Sequence, residues 1–319
     1  MPTPSQQSDL PVLPLEQSGP SSLIRGSTRL LGIFGNPLSH SYSPAMHNGG
    51  IQGLGLDLVY VPFPVETSGL ANLLKALKAV GFLGVNVTMP HKQSVVPLCD
   101  TISNISRVMG AVNTIVHRDG KLHGTTTDPE GFINAFRDAG HSFDGKSVAI
   151  LGNGGSARTI AFALALLTHA RTATLVARAP EKSTDLIAEV KAAAPQFDIR
   201  AIALDDYATA QHTHGDFDVI VNTTPVGMHP NVSASPLPGD LLKPSQIVYD
   251  IVYNPEETAL IQAARAKGCS TVGGLGMLVH QGIASFRLWT GKEPDPAHFY
   301  EGIRLQQKME LDQNSGKRA

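Results

Sequence analysis

Polar side chains gather at a few points in the first half of this chain, each beside a short apolar run. Gly35-Asn36-Pro37-Leu38-Ser39-His40-Ser41-Tyr42-Ser43-Pro44 follows the strand-like Leu30–Phe34. Residues two apart in extended chain face the same way, so Ser41 and Ser43 can present two hydroxyls to one carboxylate. Asn86-Val87-Thr88-Met89-Pro90-His91-Lys92 closes the next such run, with Asn86 and Thr88 again sharing a face. Lys92 falls just past Pro90, where a helix start is expected, and a cation at a positive helix end needs a reason. Asn113, in Gly110-Ala111-Val112-Asn113-Thr114, and Asp128, ahead of Pro129, complete the set. Each has an ordinary reading by itself: Ser43 caps a helix opened by Pro44, Ser41 is a turn residue, Asp128 caps a helix, and Lys92 is a surface lysine. Taken together, polar groups at the ends of strands point to a small-molecule site.

A second constellation lies near the middle of the chain. Val148-Ala149-Ile150-Leu151 reads as a buried parallel strand and runs into Gly152-Asn153-Gly154-Gly155-Ser156-Ala157, followed by the apolar helical stretch Thr159–Leu167. Strand, glycine turn and helix in that order make a pyrophosphate grip: Gly152 permits the tight turn, Gly154 lets backbone approach the phosphates, and helix amides face the charge. An NAD site carries an acid at the tip of the second strand, about 20 residues on. Here that tip is Leu175-Val176-Ala177-Arg178, without an acid and with a cation suited to a 2′-phosphate, so NADP (NADPH) is the expected cofactor.

These sites need a scaffold, and the chain supplies an α/β one. Leu30–Phe34, Leu58–Val61 and Leu83–Val87 read as strands, Gly69–Val80 has helical spacing, and Thr114–His117 with Leu122–Thr125 forms a hairpin around Asp119-Gly120. From Asp128 a helix leads into a second domain. There Val148–Leu151, Thr172–Val176, Ile199–Ala203, Val219–Asn222 and Ile247–Tyr249 alternate with helices, the pattern of a doubly wound, Rossmann-like parallel sheet. The expected division is a disordered tail over 1–27, a substrate domain over 28–127 plus 276–311, a dinucleotide domain over 128–275 and a frayed end over 312–319.

With 319 residues, 42% of them hydrophobic, there is material for two packed domains. A net charge of −2 without a basic block argues against a nucleic-acid partner, and the chain has no apolar run long enough to span a bilayer. Two distant cysteines, Cys99 and Cys269, suit a reducing, cytoplasmic setting and a small core role. His91 invites a rival catalytic role but neighbours Lys92 on the opposite face. His212 and His214 lack a third ligand at metal-binding spacing and are expected in an exposed loop, so no metal is expected.

The ordered motifs also carry a resemblance. Ser-x-Ser-Pro-x-x-His-Asn within Gly35–Asn48, Asn86–Lys92, Gly110–Thr114, Thr127-Asp128, Gly152–Arg158, Asn222-Thr-Thr-Pro-Val-Gly-Met228 and Gly274–Gln281 together resemble the shikimate dehydrogenase family from about Arg29 to Leu305. The resemblance implies that Ser41, Ser43, Asn86, Thr88, Asn113, Asp128, Tyr253 and Gln281 hold the substrate and that Lys92 and Asp128 are the catalytic pair. It implies that Gly152–Ala157, Arg178, Ile251, Gly274 and Met277 line the cofactor site. It further implies that the helix after Gly276 and the segment Pro296–Met309 pack on the first domain, with a cleft between domains. The implied reaction is NADPH-dependent reduction of 3-dehydroshikimate in aromatic amino acid biosynthesis. Quinate/shikimate dehydrogenase, an aminoshikimate enzyme and a non-catalytic NADP-binding regulator are the alternatives, and the expected state is monomer or homodimer. Two departures stand out. Thr126 and Pro129 replace the family's usual asparagine and glycine around Thr-Asp, and Ala177-Arg178-Ala179 replaces Asn-Arg-Thr, removing two hydrogen-bonding side chains beside Arg178.

Overall fold

The computed structural model describes residues 24–214 and 216–316. The chain divides into two compact units: the part up to Thr126 together with everything from Gly282 onward, and Thr127–Gln281. The return to the first unit falls between Gln281 and Gly282, within one continuous helix.

The first unit contains β1 (Arg29–Gly35), α1 (Ser43–Gly53), β2 (Leu58–Pro64), α2 (Leu70–Ala79), β3 (Gly84–Val87), β4 (Thr101–Ile102), α3 (Asn104–Met109), β5 (Thr114–Arg118) and β6 (Lys121–Thr125). Its six-stranded sheet runs β2-β1-β3-β5-β6-β4. β2, β1 and β3 are parallel, and β5 joins β3 antiparallel. Because β2 and β3 flank β1 on opposite sides, strand order reverses at β1. The polar segments after β1 and β3 emerge there side by side, with Phe34 opposite Val87. Apolar side chains of these strands, Phe34, Val85, Val87 and Ile115, meet Leu70, Leu74 and Leu77 of α2 in one core. Burying such side chains is worth about 1.5–3 kcal/mol each. The β5–β6 hairpin turns at Asp119 (φ 50°) and Gly120 (φ 70°), the paired positive φ values of a two-residue turn matched to strand twist.

The second unit contains α4 (Asp128–Asp138), β7 (Ser147–Leu151), α5 (Gly155–Leu167), β8 (Thr172–Ala177), α6 (Thr184–Ala193), β9 (Asp198–Ala203), α7 (Tyr207–His214), β10 (Val219–Asn222), β11 (Ile247–Asp250), α8 (Ala259–Ala266) and β12 (Ser270–Val272). The helix α9 (Gly274–Thr290) begins here and ends in the first unit, which also holds α10 (Pro296–Gly316). The sheet order is β12-β11-β10-β7-β8-β9, every pair parallel. Its reversal lies between β7 and β10, where α/β sheets bind ligands beyond the strand carboxyl ends.

Several expectations change. Ser43 is the first residue of α1, the cap position is Tyr42, and no side chain caps the helix. The segment after Pro90 turns without starting a helix at Lys92. His212 and His214 lie on α7 rather than in a loop. α10 continues to Gly316, past the expected fraying point. Residues 1–23 of the expected tail lie outside the described residues. Ser27 and Thr28 are anchored to Asp57 by hydrogen bonds of 2.6 and 2.7 Å.

Candidate active site

In the first unit the three polar segments are knitted together through backbone. Thr88 N donates to Phe34 O (2.8 Å), Asn36 N to Met89 O (3.1 Å), Val87 N to Asn113 O (2.7 Å) and Val112 N to Lys92 O (2.8 Å). The last of these explains why Lys92 sits in a turn: its carbonyl is committed to a neighbouring segment. The Ser41 hydroxyl accepts the Ser43 amide at 3.3 Å, and the Ser43 hydroxyl is not used as a cap. The ordinary capping reading of Ser43 therefore fails. Thr88 packs against Gly35, which has no room for a side chain beside it.

Asn86 and Asn113 are both buried. The Asn86 Oδ1 accepts from the Tyr60 hydroxyl (2.8 Å), and its Nδ2 donates to Asn113 O (3.2 Å), Thr114 Oγ1 (3.3 Å) and Ser285 Oγ (3.0 Å). Thr114 in turn donates to Asn113 Oδ1 at 2.7 Å. The Asn113 carbonyl can only accept and so fixes which end of the Asn86 amide is the donor, and Tyr60, Thr114 and Ser285 complete its partners. Sequence reasoning missed all three. The available signal was Tyr60 on the inward face of β2, since a buried phenol needs a partner.

Behind Tyr60 the ring of His47 stacks at 4.3 Å and 12°. His47 is fully buried among Tyr60, Phe286, Trp289 and Phe299, and neither ring nitrogen has a hydrogen-bond partner among the described residues. Burial lowers its pKa to about 3, a fall only partly offset by the neighbouring Asn86 amide. His91, the rival to Lys92, is also fully buried, with its ring nitrogens 2.7 Å from Val65 O and 3.3 Å from Thr67 Oγ1. Both nitrogens serve the fold. Cys99 and Cys269 are free thiols, and burial pushes Cys99 up to about 12, far from a reactive thiolate. Among the described residues no group of metal-ligating side chains exists, and no helix is long and apolar enough to cross a membrane.

In the second unit Asp128 is the first residue of α4 and is buried. The amide end of a helix favours a carboxylate. Gln281 lies on α9, which meets α4 at Gly131: a Cβ there would fall 2.7 Å from Met277 O and 2.7 Å from Gln281 Cβ. Gly131 therefore sets the separation of the helices bearing Asp128, Met277 and Gln281. Tyr253 is half-buried just after β11. Lys92, Ser41, Ser43, Asn86, Thr88 and Asn113 belong to the first unit, Asp128, Tyr253 and Gln281 to the second.

The glycine turn fits a dinucleotide. Gly152 has φ +108°, and a Cβ there would also lie 2.9 Å from Thr223 Oγ1. Around Gly154 and Gly155 a Cβ would meet nothing within 4 Å, so the space a pyrophosphate needs is open. α5 begins at Gly155 with no side-chain cap, so its first amides keep their capacity for an anion. Asn153 donates to Ala179 O (3.0 Å) and Ser183 Oγ (3.3 Å), tying the turn to the loop that carries Arg178. Arg178 is exposed at the tip of β8, whereas Arg158 is engaged by Glu189 and lies over the Phe162 ring. Gly274 sits against Ile251, with a Cβ position 2.2 Å from the Ile251 carbonyl oxygen.

A parallel sheet with a glycine turn at its strand reversal, joined in one chain to a second α/β unit with paired hydroxyls, buried amides and a lysine, defines a dinucleotide-dependent dehydrogenase. Comparison with known proteins makes the class specific. Residues 33–115 match the family described as shikimate dehydrogenase substrate binding domain, and 274–301 match the shikimate 5′-dehydrogenase C-terminal domain. A shikimate dehydrogenase (NADP(+)) of Moorella thermoacetica is 42% identical over 85% of this chain and 90% of its own. The shikimate 5-dehydrogenase of Listeria monocytogenes, solved with shikimate and NAD, superposes with a TM-score of 0.83 at 33% identity, covering 88% of this chain and 98% of that one. A quinate dehydrogenase of Corynebacterium glutamicum, solved with NAD, gives 0.78 at 33% identity over 86% of this chain and 98% of that one. The chain belongs to the shikimate dehydrogenase family.

Proposed function

We infer that this chain catalyses the reversible NADP-linked reduction of 3-dehydroshikimate to shikimate, a step of aromatic amino acid biosynthesis in a reducing cytoplasm. The observation that carries the reading is its 42% identity, over 85% of its length, to an enzyme named for that reaction and that cofactor. The exposed Arg178 and the lack of an acid at the tip of β8 support NADP over NAD.

The dinucleotide, when bound, supplies or accepts the hydride. Gly152–Ala157 hold its pyrophosphate, Arg178 meets the 2′-phosphate, and Ile251, Gly274 and Met277 line the nicotinamide end. Ser41 and Ser43 hold the substrate carboxylate. Asn86, Thr88, Asn113, Tyr253 and Gln281 hold the ring hydroxyls, with Asn86 pre-oriented by Tyr60 and Ser285. As the substrate carbonyl becomes an alkoxide, the Lys92 ammonium stabilises the negative charge and supplies the proton, and Asp128 orients Lys92.

Quinate is the competing substrate, favoured by the likeness to the Corynebacterium enzyme. The Ser41/Ser43 pair, not enlarged to threonine, supports shikimate, and retention of Lys92 with Asp128 speaks against a non-catalytic regulator. The test is dinucleotide reduction by purified protein with shikimate and quinate, each with NADP+ and NAD+. Shikimate with NADP+ is expected to give the highest kcat/KM. Preference for quinate overturns the substrate reading, and an NADP+-to-NAD+ ratio of kcat/KM below one overturns the cofactor reading.

A further inference from the structure

Asp250, at the end of β11, is fully buried and takes no part in the chemistry above. Its Oδ1 accepts from Asn222 Nδ2 (2.9 Å) and Val252 N (3.0 Å), and its Oδ2 from Thr258 Oγ1 (2.7 Å). Burial raises the carboxyl pKa, and those three donors pull it back toward the ionised form.

The partners matter more than the carboxylate itself. Asn222, also fully buried, ends β10 and uses its Oδ1 to accept from Thr224 N (3.0 Å) and Thr224 Oγ1 (2.7 Å). Thr224 Oγ1 then accepts Val226 N at 3.2 Å, and Asn222 Nδ2 also reaches Val226 O at 3.3 Å. One carboxylate therefore shapes the loop from Thr223 to Val226. That loop is the floor of the glycine turn: Thr223 Oγ1 and N both donate to Leu151 O, at 2.6 and 3.0 Å, one residue before Gly152. The Gly152 Cα faces Thr223 Oγ1 and Thr224 Cγ2. On its other side, Asp250 fixes Val252 N. Ile251, between them, has its carbonyl against Gly274.

We propose that Asp250 is a positioning residue for the dinucleotide, holding the Asn222–Val226 loop and Ile251 so that the turn at Gly152 and the Gly274 segment keep their binding geometry. The proposal rests on reading Gly152–Ala157 as the pyrophosphate grip. It links both ends of the cofactor site to one buried anion that touches neither cofactor nor substrate.

The test compares wild type, Asp250→Asn and Thr224→Val by fluorescence titration with NADPH, by the KM for shikimate at saturating NADP+, and by thermal unfolding. Asp250→Asn is expected to raise the NADPH Kd at least tenfold and Thr224→Val at least threefold, with the shikimate KM within twofold of wild type. A purely structural defect lowers the active fraction and leaves the Kd of the folded remainder unchanged. Wild-type NADPH affinity in a folded Asp250→Asn overturns the proposal. Should that variant fail to fold, an unchanged Kd in Thr224→Val overturns it instead. Wild type that binds no NADPH refutes the grip itself, a different failure seen before any variant is compared.

Discussion

His47 makes the first unit acid-labile in a window where most carboxylates are still ionised. In the unfolded chain it titrates near 6.5, and in the folded protein near 3, because protonation would place a charge in a fully buried aromatic surrounding, offset only in part by the neighbouring Asn86 amide. For a base held neutral by folding, stability is complete above the unfolded pKa and is lost as pH falls from there toward the folded value. Each pH unit below 6.5 costs about 1.4 kcal/mol until the folded group itself protonates. Between pH 7 and pH 5 this one side chain should remove about 2 kcal/mol, a large part of a domain's stability. Trp289 is the chain's single tryptophan, and its ring lies 5.4 Å from His47. Its fluorescence therefore follows the unit that contains His47. Urea unfolding read by Trp289 at the two pH values, for wild type and for His47→Leu, isolates the contribution. Wild type should lose about 2 kcal/mol more than the variant, whose starting stability differs but whose pH slope lacks the histidine. Parallel pH dependences for the two proteins would refute the reasoning.

Two substitutions probe the chemistry and its scaffold. Lys92→Ala should lower kcat by roughly 10²–10⁴ with little change in KM, and near-normal turnover in steady-state assays removes Lys92 from the mechanism. Gly131→Ala puts a methyl 2.7 Å from the Met277 carbonyl oxygen, a backbone atom that cannot swing aside. It should cost about 1–3 kcal/mol by overpacking and lower kcat/KM for shikimate by moving Asp128 against Gln281, and an unchanged Tm and kcat/KM would show that α4 and α9 tolerate separation.

What the sequence revealed, and what it hid, follows from the range of the forces involved. Buried parallel strands are continuous apolar runs, so β7, β8 and β10 could be read within a residue of their ends. β12 is Ser-Thr-Val and β4 is Thr-Ile: both are edge strands that exist because a neighbour pairs with them, and nothing in their few residues announces it. The turn at Asp119-Gly120 is local and was legible, whereas the turn at Lys92 depends on Val112, and local pattern misread it as a helix start. The polar residues with motif neighbours, such as Asn86, stood out in the sequence as candidates. Their supports were not, because Asn86 meets Tyr60 across 26 positions and Ser285 across 199. Asp250 and Asn222 carry the same lesson: one residue closing a strand looks like ordinary punctuation until its partner 28 positions away is known.

Both units answer one physical problem by the same topological means. Polar side chains must be gathered at one place without burying unpaired backbone, and the carboxyl ends of parallel strands offer exposed loops on a rigid base. A gap opens where successive strands are added on opposite sides of the first. In the first unit that strand is β1, with β2 and β3 on either side, and the loops beyond β1 and β3 bring Ser41, Ser43, Thr88 and Lys92. In the second it is β7, with β8 and β10 on either side, and the loops bring Gly152–Gly155 and Thr223–Val226. What differs is the filling. The first reversal presents side chains, which in the proposed reading tell the hydroxyls and the carboxylate of a small ring apart. At the second, the glycine turn and the uncapped start of α5 leave backbone amides open, which in the proposed reading recognise a pyrophosphate by charge and amide direction. Each unit also carries a buried side-chain network at its reversal, built on Asn86 with Tyr60, Asn113, Thr114 and Ser285 in one and on Asp250 with Asn222 and Thr258 in the other. Loss of either network should therefore impair binding at its own reversal, Asn86 partners affecting shikimate and Asp250 partners affecting the dinucleotide.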